Sequence, residues 1–246
     1  MASGVNELFF HQLTRAAATV RPPIFATLKT VLMNTSLAGI RNLLFDLGGV
    51  IINLDRQRCV DALTALGDEK ADEMLDLSVQ RGTLMDLEEG KISPSDFFKC
   101  MRQKIGKAVS DEEIVHALNE LLIGIPLDRL TLLRKLRQRF NVMMLSNTNP
   151  IMFDTKIAEC FAQEGLSITD YFDDVYLSYR LKSCKPDIAI FKKVIELSRI
   201  VPQETLFFDD SQKNLDAAAS LGFKTFLVTP DRDIVTFFNT QSIDDF

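Results

Sequence analysis

The sequence predicts an α/β fold: a parallel sheet covered by helices on both faces, interrupted after its first strand by an all-helical insertion. Three observations carry this expectation. From Pro126 onward, short apolar runs alternate with helical stretches of about 10 to 15 residues, the pattern of strand–helix–strand units. The first apolar run, NLLFDL, is followed by a section that reads as helical from residue 56 to 122. Finally, the apolar runs lead into polar residues at the ends where α/β sheets bind ligands.

NLLFDL is short and apolar and stops at Gly48-Gly49, as a buried parallel strand does. The helical section contains RQRCVDALTAL, EKADEMLDLSVQRG, SPSDFFKCMRQKI and SDEEIVHALNELL. Ser93 and Ser110 are suitable helix N-caps, with acids in the first turn where the helix dipole favours them. Beyond Pro126, LDRLTLLRKLRQR reads as a helix, NVMMLSNTN as a strand and turn, and PIMFDTKIAECFAQEG as a helix. DDVYLSYR then reads as a strand, PDIAIFKKVIELSRI as a helix and ETLFFDDS as a strand and turn. LDAAASLG reads as a helix and KTFLVT as the last strand. The expected organisation is a leader at 1–40, a core at 41–52 and 126–246, and a helical insertion at 53–125.

The leader carries Arg15, Arg21 and Lys29 against one acid, Glu7, and is broken at Pro22-Pro23. Such a basic, acid-poor stretch fits a targeting segment. It equally fits an extension upstream of a start near Met33, and both readings stand.

Composition narrows the function. A chain of 246 residues with 46% apolar and 25% charged residues is ordinary for a globular protein with a substantial core. A net charge of −6 and a pI near 5.1 argue against nucleic acid as the partner. No apolar run reaches the roughly 18 residues of a membrane span. Cys59, Cys100, Cys160 and Cys184 are widely spaced without a CxxC pair, as expected of reduced thiols in a cytoplasmic protein. His11 lies in the leader and His116 in a charged helical stretch, so chemistry must rest on carboxylates, lysines and hydroxyls.

Four segments supply such groups at strand ends: Asp46; Ser146 and Asn147; Lys182 and Lys185 in RLKSCKP; and Asp209 and Asp210. Singly, each fits a turn, a helix cap or a solvated loop. The adjacent acids Asp209 and Asp210 repel each other unless a cation neutralises them.

In their order, these motifs resemble the haloacid dehalogenase superfamily. The matching stretches are FDLGGV, LSNTN, Lys185 in CKPDIAIF, and FFDDSQKNLDAAASLGF, over roughly residues 41 to 230. The DLGGV form resembles a sugar-phosphatase-like subgroup. The resemblance implies a Rossmann-like doubly wound core, a helical cap at 53–125, and a Mg²⁺-dependent phosphatase acting on a small phosphorylated metabolite, with a sugar phosphate favoured. It implies Asp46 as the nucleophile, with Lys185, Ser146 and Asn147 around the phosphoryl oxygens. It also implies Asp46, the Gly48 carbonyl and Asp210 as magnesium ligands, supported by Asp209 and Asn214.

Gly48 departs from the common pattern of the superfamily, in which a second aspartate protonates the leaving group. Loss of such a group costs about 10² to 10⁴ in rate, so the expectation is a slower enzyme or a substitute proton carrier; Asp55 is the nearest acid downstream. Arg81 is a candidate for the substrate's polar groups against a solvated helix end. Two rivals remain: a 2-haloacid dehalogenase, which also lacks the second aspartate but needs no metal, and a non-catalytic phosphoester-binding protein. Substrate identity and oligomeric state are not written in the sequence.

Overall fold

The computed structural model describes residues 37–75 and 82–241. Five parallel strands form the central sheet: β1 (Asn42–Phe45), β4 (Asn141–Ser146), β5 (Asp174–Leu177), β6 (Thr205–Asp209) and β7 (Lys224–Leu227), in the order β5-β4-β1-β6-β7. Phe45 lies level with Met144 on one side and Phe208 on the other, so the carboxyl ends of the three central strands open at one height.

Alternation along these strands builds two cores. Leu43, Phe45, Val142, Met144, Leu206 and Phe208 join one cluster, while Leu44, Met143, Leu145 and Phe207 face the other. A sheet buried on both faces accounts for the uninterrupted apolar runs. The rings of Phe45 and Phe208 stack at 4.7 Å, next to the residues that leave the strands as Asp46 and Asp209.

The helices of the insertion are α1 (Arg56–Leu66), α2 (Ala71–Met74), α3 (Thr83–Glu88), α4 (Pro94–Ile105) and α5 (Asp111–Asn119). Ser93 and Ser110 each form a full capping box with the residue three positions on, Asp96 and Glu113, as their spacing leads one to expect. Phe97, Met101 and Ile105 form the buried stripe of α4.

The core helices that follow are α6 (Leu127–Leu136), α7 (Pro150–Met152) and α8 (Ala158–Phe161), the last two joined by a π-turn at Phe153–Ile157. Then come α9 (Ile168–Tyr171), α10 (Ser178–Leu181), α11 (Ile188–Ser198), α12 (Gln212–Ala219) and α13 (Ile234–Thr240).

Four features differ from the sequence expectation. The section read as helical to residue 122 ends in β3 (Leu122–Gly124), which pairs antiparallel with β2 (Asn53–Leu54) at the foot of the insertion. DDVYLSYR is strand only to Leu177, because the Ser178 hydroxyl bonds both the N–H and the carbonyl of Thr148 and turns the chain off the sheet into α10. The last four residues of the expected leader belong to the core: Leu37 and Ile40 are buried, and the Arg41 N–H donates to the Glu204 carbonyl. Finally, α13 covers the sheet with Phe237 and Phe238, which meet Phe208 at 5.3 and 5.4 Å.

The leader through residue 36 lies outside the described residues, as does Arg81. No helix among the described residues is long and apolar enough to cross a membrane.

Candidate active site

β1 delivers Asp46 to the top of the sheet, where its N–H donates to the Phe208 carbonyl and so keeps it level with β6. Its Oδ1 accepts the Leu47 N–H at 2.7 Å. The side chain is almost buried, and burial raises its pKa. Lys185 pulls the other way, and the charges of Asp209 and Asp210 add to the rise.

Lys185 is the cation of the cluster. Its Nζ lies 2.7 Å from Asp46 Oδ1 and 2.7 Å from Asp209 Oδ2, with the Phe207 ring 5.5 Å away. Burial works against its charge, but Asp209 and Asp46 outweigh that, and its pKa is raised. Lys185 is therefore held as an ammonium, and its charge offsets part of what burial does to Asp46.

Asp209 is fully buried and committed on both oxygens. Oδ2 faces Lys185, while Oδ1 accepts the Ser211 N–H at 2.8 Å and the Asn214 amide at 2.9 Å. Asn214 thus touches the cluster through Asp209. Asp210 is more exposed, and partial burial together with the Asp209 charge raises its pKa. Carboxylate oxygens of Asp46, Asp209 and Asp210 all lie within 4.8 Å of one another.

Gly49 makes the approach of Asp210 possible. Its φ is +70°, and a Cβ there would fall 2.1 Å from Asp210 Oδ2. Only glycine fits both the backbone and the space. At Gly48 a Cβ would meet only the tip of Leu54, at 3.1 Å.

The β4 loop contributes differently from the sequence expectation. Ser146 is buried at the strand end, its hydroxyl donating to the Asn147 carbonyl at 3.3 Å. The Asn147 side chain is turned onto the Lys185 backbone instead of facing the carboxylates. Its Nδ2 donates to the Lys185 carbonyl at 2.9 Å, and its Oδ1 accepts the Lys185 N–H at 2.8 Å. The amide thereby joins the two loops that bring Ser146 and Lys185 together.

Other residues read from the sequence stand apart. Lys182 is exposed, with φ +52°, and donates to the Gly90 carbonyl of the insertion. Asp55 caps α1 by accepting the Arg58 N–H, so the nearest downstream acid already serves a helix end. His116 is exposed on α5.

Three acidic side chains share one ammonium in a space under 5 Å across, an excess of carboxyl oxygens over positive charge. Oxygen donors with that excess suit a hard divalent cation. A nucleophilic carboxylate beside a fixed ammonium also suits attack on a phosphorus or carbon centre that develops negative charge.

Comparisons with known proteins point the same way. Residues 40–222 match the family model described as haloacid dehalogenase-like hydrolase. A D-ribitol-5-phosphate phosphatase of Bacteroides thetaiotaomicron is 39% identical over 187 residues, covering 76% of this chain and 91% of that protein. A crystal structure of a family enzyme from Bacteroides thetaiotaomicron, in complex with magnesium and inorganic phosphate, superposes with a TM-score of 0.76. It is 40% identical and covers 81% of this chain and 99% of that one. The L-2-haloacid dehalogenase of Xanthobacter autotrophicus shares the fold at 18% identity, with a TM-score of 0.54 and coverage of 82% of this chain and 88% of that one. The family match spans most of the chain and contains every group of the carboxylate–lysine cluster, and this protein belongs to the haloacid dehalogenase-like hydrolases.

Proposed function

We propose that this hydrolase is a magnesium-dependent phosphatase of a small phosphorylated metabolite, a sugar or polyol phosphate, working through an aspartyl phosphate on Asp46. The observation that carries the reading is the Asp46–Lys185–Asp209 arrangement with Asp210 beside it. The relative named for D-ribitol 5-phosphate and the related structure holding magnesium and phosphate support the substrate class and the ion.

In this mechanism an Asp46 carboxylate oxygen attacks phosphorus, and the ester oxygen leaves with its bonding pair and takes up a proton. Water then attacks the aspartyl phosphate, releasing phosphate and restoring Asp46. Lys185 holds Asp46 in place and offsets the charge on the phosphoryl oxygens. The Ser146 hydroxyl, at the end of β4, turns from the Asn147 carbonyl to those oxygens. Asn147 acts through Lys185, whose backbone it holds. Asp46, the Gly48 carbonyl and Asp210 are the groups that would hold magnesium, which when bound supplies positive charge beside the phosphoryl group. Asp209, with Asn214 behind it, orients Lys185. The inserted helices serve as the cap over this mouth.

The dehalogenase reading gives no task to three clustered acids around one lysine, and a pure binding protein has little need of a nucleophile held by Lys185. The test is phosphate release across pentitol, hexose, nucleotide and small-acid phosphates, with and without Mg²⁺. Turnover of sugar or polyol phosphates only with the metal is expected. Inactivity across the panel, or equal rates after chelation, would refute the proposal.

A further inference from the structure

Two buried side-chain atoms among the described residues make no well-aligned hydrogen bond, and both flank the site: Asn149 Nδ2, just beyond Asn147, and Ser183 Oγ, just before Lys185. Asn149 is fully buried. Its amide orientation is fixed, because Oδ1 accepts the Met152 N–H at 3.0 Å and caps α7. Nδ2 is therefore the donor left over, and a buried donor left unmatched costs about 1–3 kcal/mol. The acid that interacts with this amide is Glu88, the last residue of α3. Burial pushes the Glu88 carboxyl up to about 7, and the Asn149 amide works in the opposite direction.

The same turn makes a second approach to the core. Gly90 has φ +60°, and a Cβ there would lie 2.3 Å from the Tyr179 carbonyl oxygen and 2.5 Å from Lys182 Nζ. Lys182 Nζ donates to the Gly90 carbonyl at 2.6 Å, and α3 packs against α10. The insertion thus meets both loops around the reaction centre. It reaches the β4 loop at Asn149 and the chain leading to Lys185 at Tyr179 and Lys182. Asn147 ties those two loops to each other.

We propose that Glu88 is a positioning residue: as acceptor for the Asn149 amide it steadies the loop that presents Ser146, while Gly90 sets how closely the insertion seats on the core. The activity readout rests on the phosphatase reading; the contact itself does not. Because burial favours the neutral carboxyl, glutamine keeps the acceptor oxygen in the same shape.

The experiment compares Glu88→Ala, Glu88→Gln, Asn149→Ser and the double variant Glu88→Ala/Asn149→Ser. The serine retains a capping oxygen and drops the amide donor. kcat/KM on the best phosphate ester and Tm are measured for each. Glu88→Ala and Asn149→Ser should each lower kcat/KM about tenfold, the scale of one hydrogen bond to a polar partner. Glu88→Gln should stay within about threefold of the parent, and the double variant should be no worse than the poorer single one. The Tm losses of the two single changes should likewise fail to add. That coupling needs no turnover, so a parent inactive on every ester would refute the phosphatase reading and leave the contact measurable. Additive losses in both readouts, rates that follow Tm alone, or a Glu88→Gln variant as impaired as Glu88→Ala would overturn the proposal.

Discussion

Gly49→Ala isolates the close approach of Asp210. Two effects follow from the geometry. An L-residue at φ +70° costs about 1–2 kcal/mol. In addition, the new Cβ would fall 2.1 Å from Asp210 Oδ2, more than an ångström inside van der Waals contact, so the carboxylate must swing away. Displacement of about 1 Å at a reacting centre can cost roughly 10² in rate. Gly106→Ala supplies the control: its φ is +72°, and nothing lies within 4 Å of the position the Cβ would take. Both variants should lose about 2–8 °C in Tm, at 2–4 °C per kcal/mol for a domain of this size. Only Gly49→Ala should lose phosphate release, by about 10² or more, and need more Mg²⁺ for half-maximal rate. Equal activity in the two variants, with unchanged Mg²⁺ demand, would refute the place given to Asp210.

Lys185→Met leaves Asp46 and Asp209 buried without their common cation and should cost about 3–5 kcal/mol in urea unfolding. Adding Asp209→Asn should recover part of that stability but none of the turnover. Gly48→Asp should fold, because its Cβ meets only the exposed tip of Leu54, and should raise kcat by roughly 10² if proton delivery limits the rate. A folded variant with the parent's rate would show that another group already carries the proton. Glu88, raised from 4.5 to about 7 by burial, stabilises the fold fully below pH 4.5, and that contribution is lost as pH rises through 7. Glu88→Gln escapes the loss, so its Tm advantage should grow from pH 5 to pH 8; a constant difference would contradict the assignment.

Much of this architecture is legible in the residues because the forces involved are local or periodic. Apolar runs such as LLF and VMML mark strands buried on both faces, and the serines at 93 and 110 fall in capping boxes. The acids at 46, 209 and 210 stand out because each follows such a run. What could not be read depends on partners distant in sequence. β2 and β3 are too short to carry a pattern and exist only because they pair. Ser178 ends β5 early through Thr148, thirty residues away. Asn147 was expected to reach for phosphoryl oxygens, yet its amide lies on the backbone of Lys185. Lys182 and Lys185 look alike in RLKSCKP, and only the fold buries one and exposes the other. Glu88 gave no signal at all in a stretch of acids, and its surroundings become unusual only where α3 meets the β4 loop.

The most direct test of the account is phosphate release by Asp46→Asn in Mg²⁺ beside the parent, with folding checked by thermal melting. Asparagine preserves the side chain's shape and removes the nucleophile. The expected result is a folded variant whose turnover of a sugar or polyol phosphate falls to background while the parent remains active. A folded Asp46→Asn variant that releases phosphate at the parent's rate would contradict the central claim.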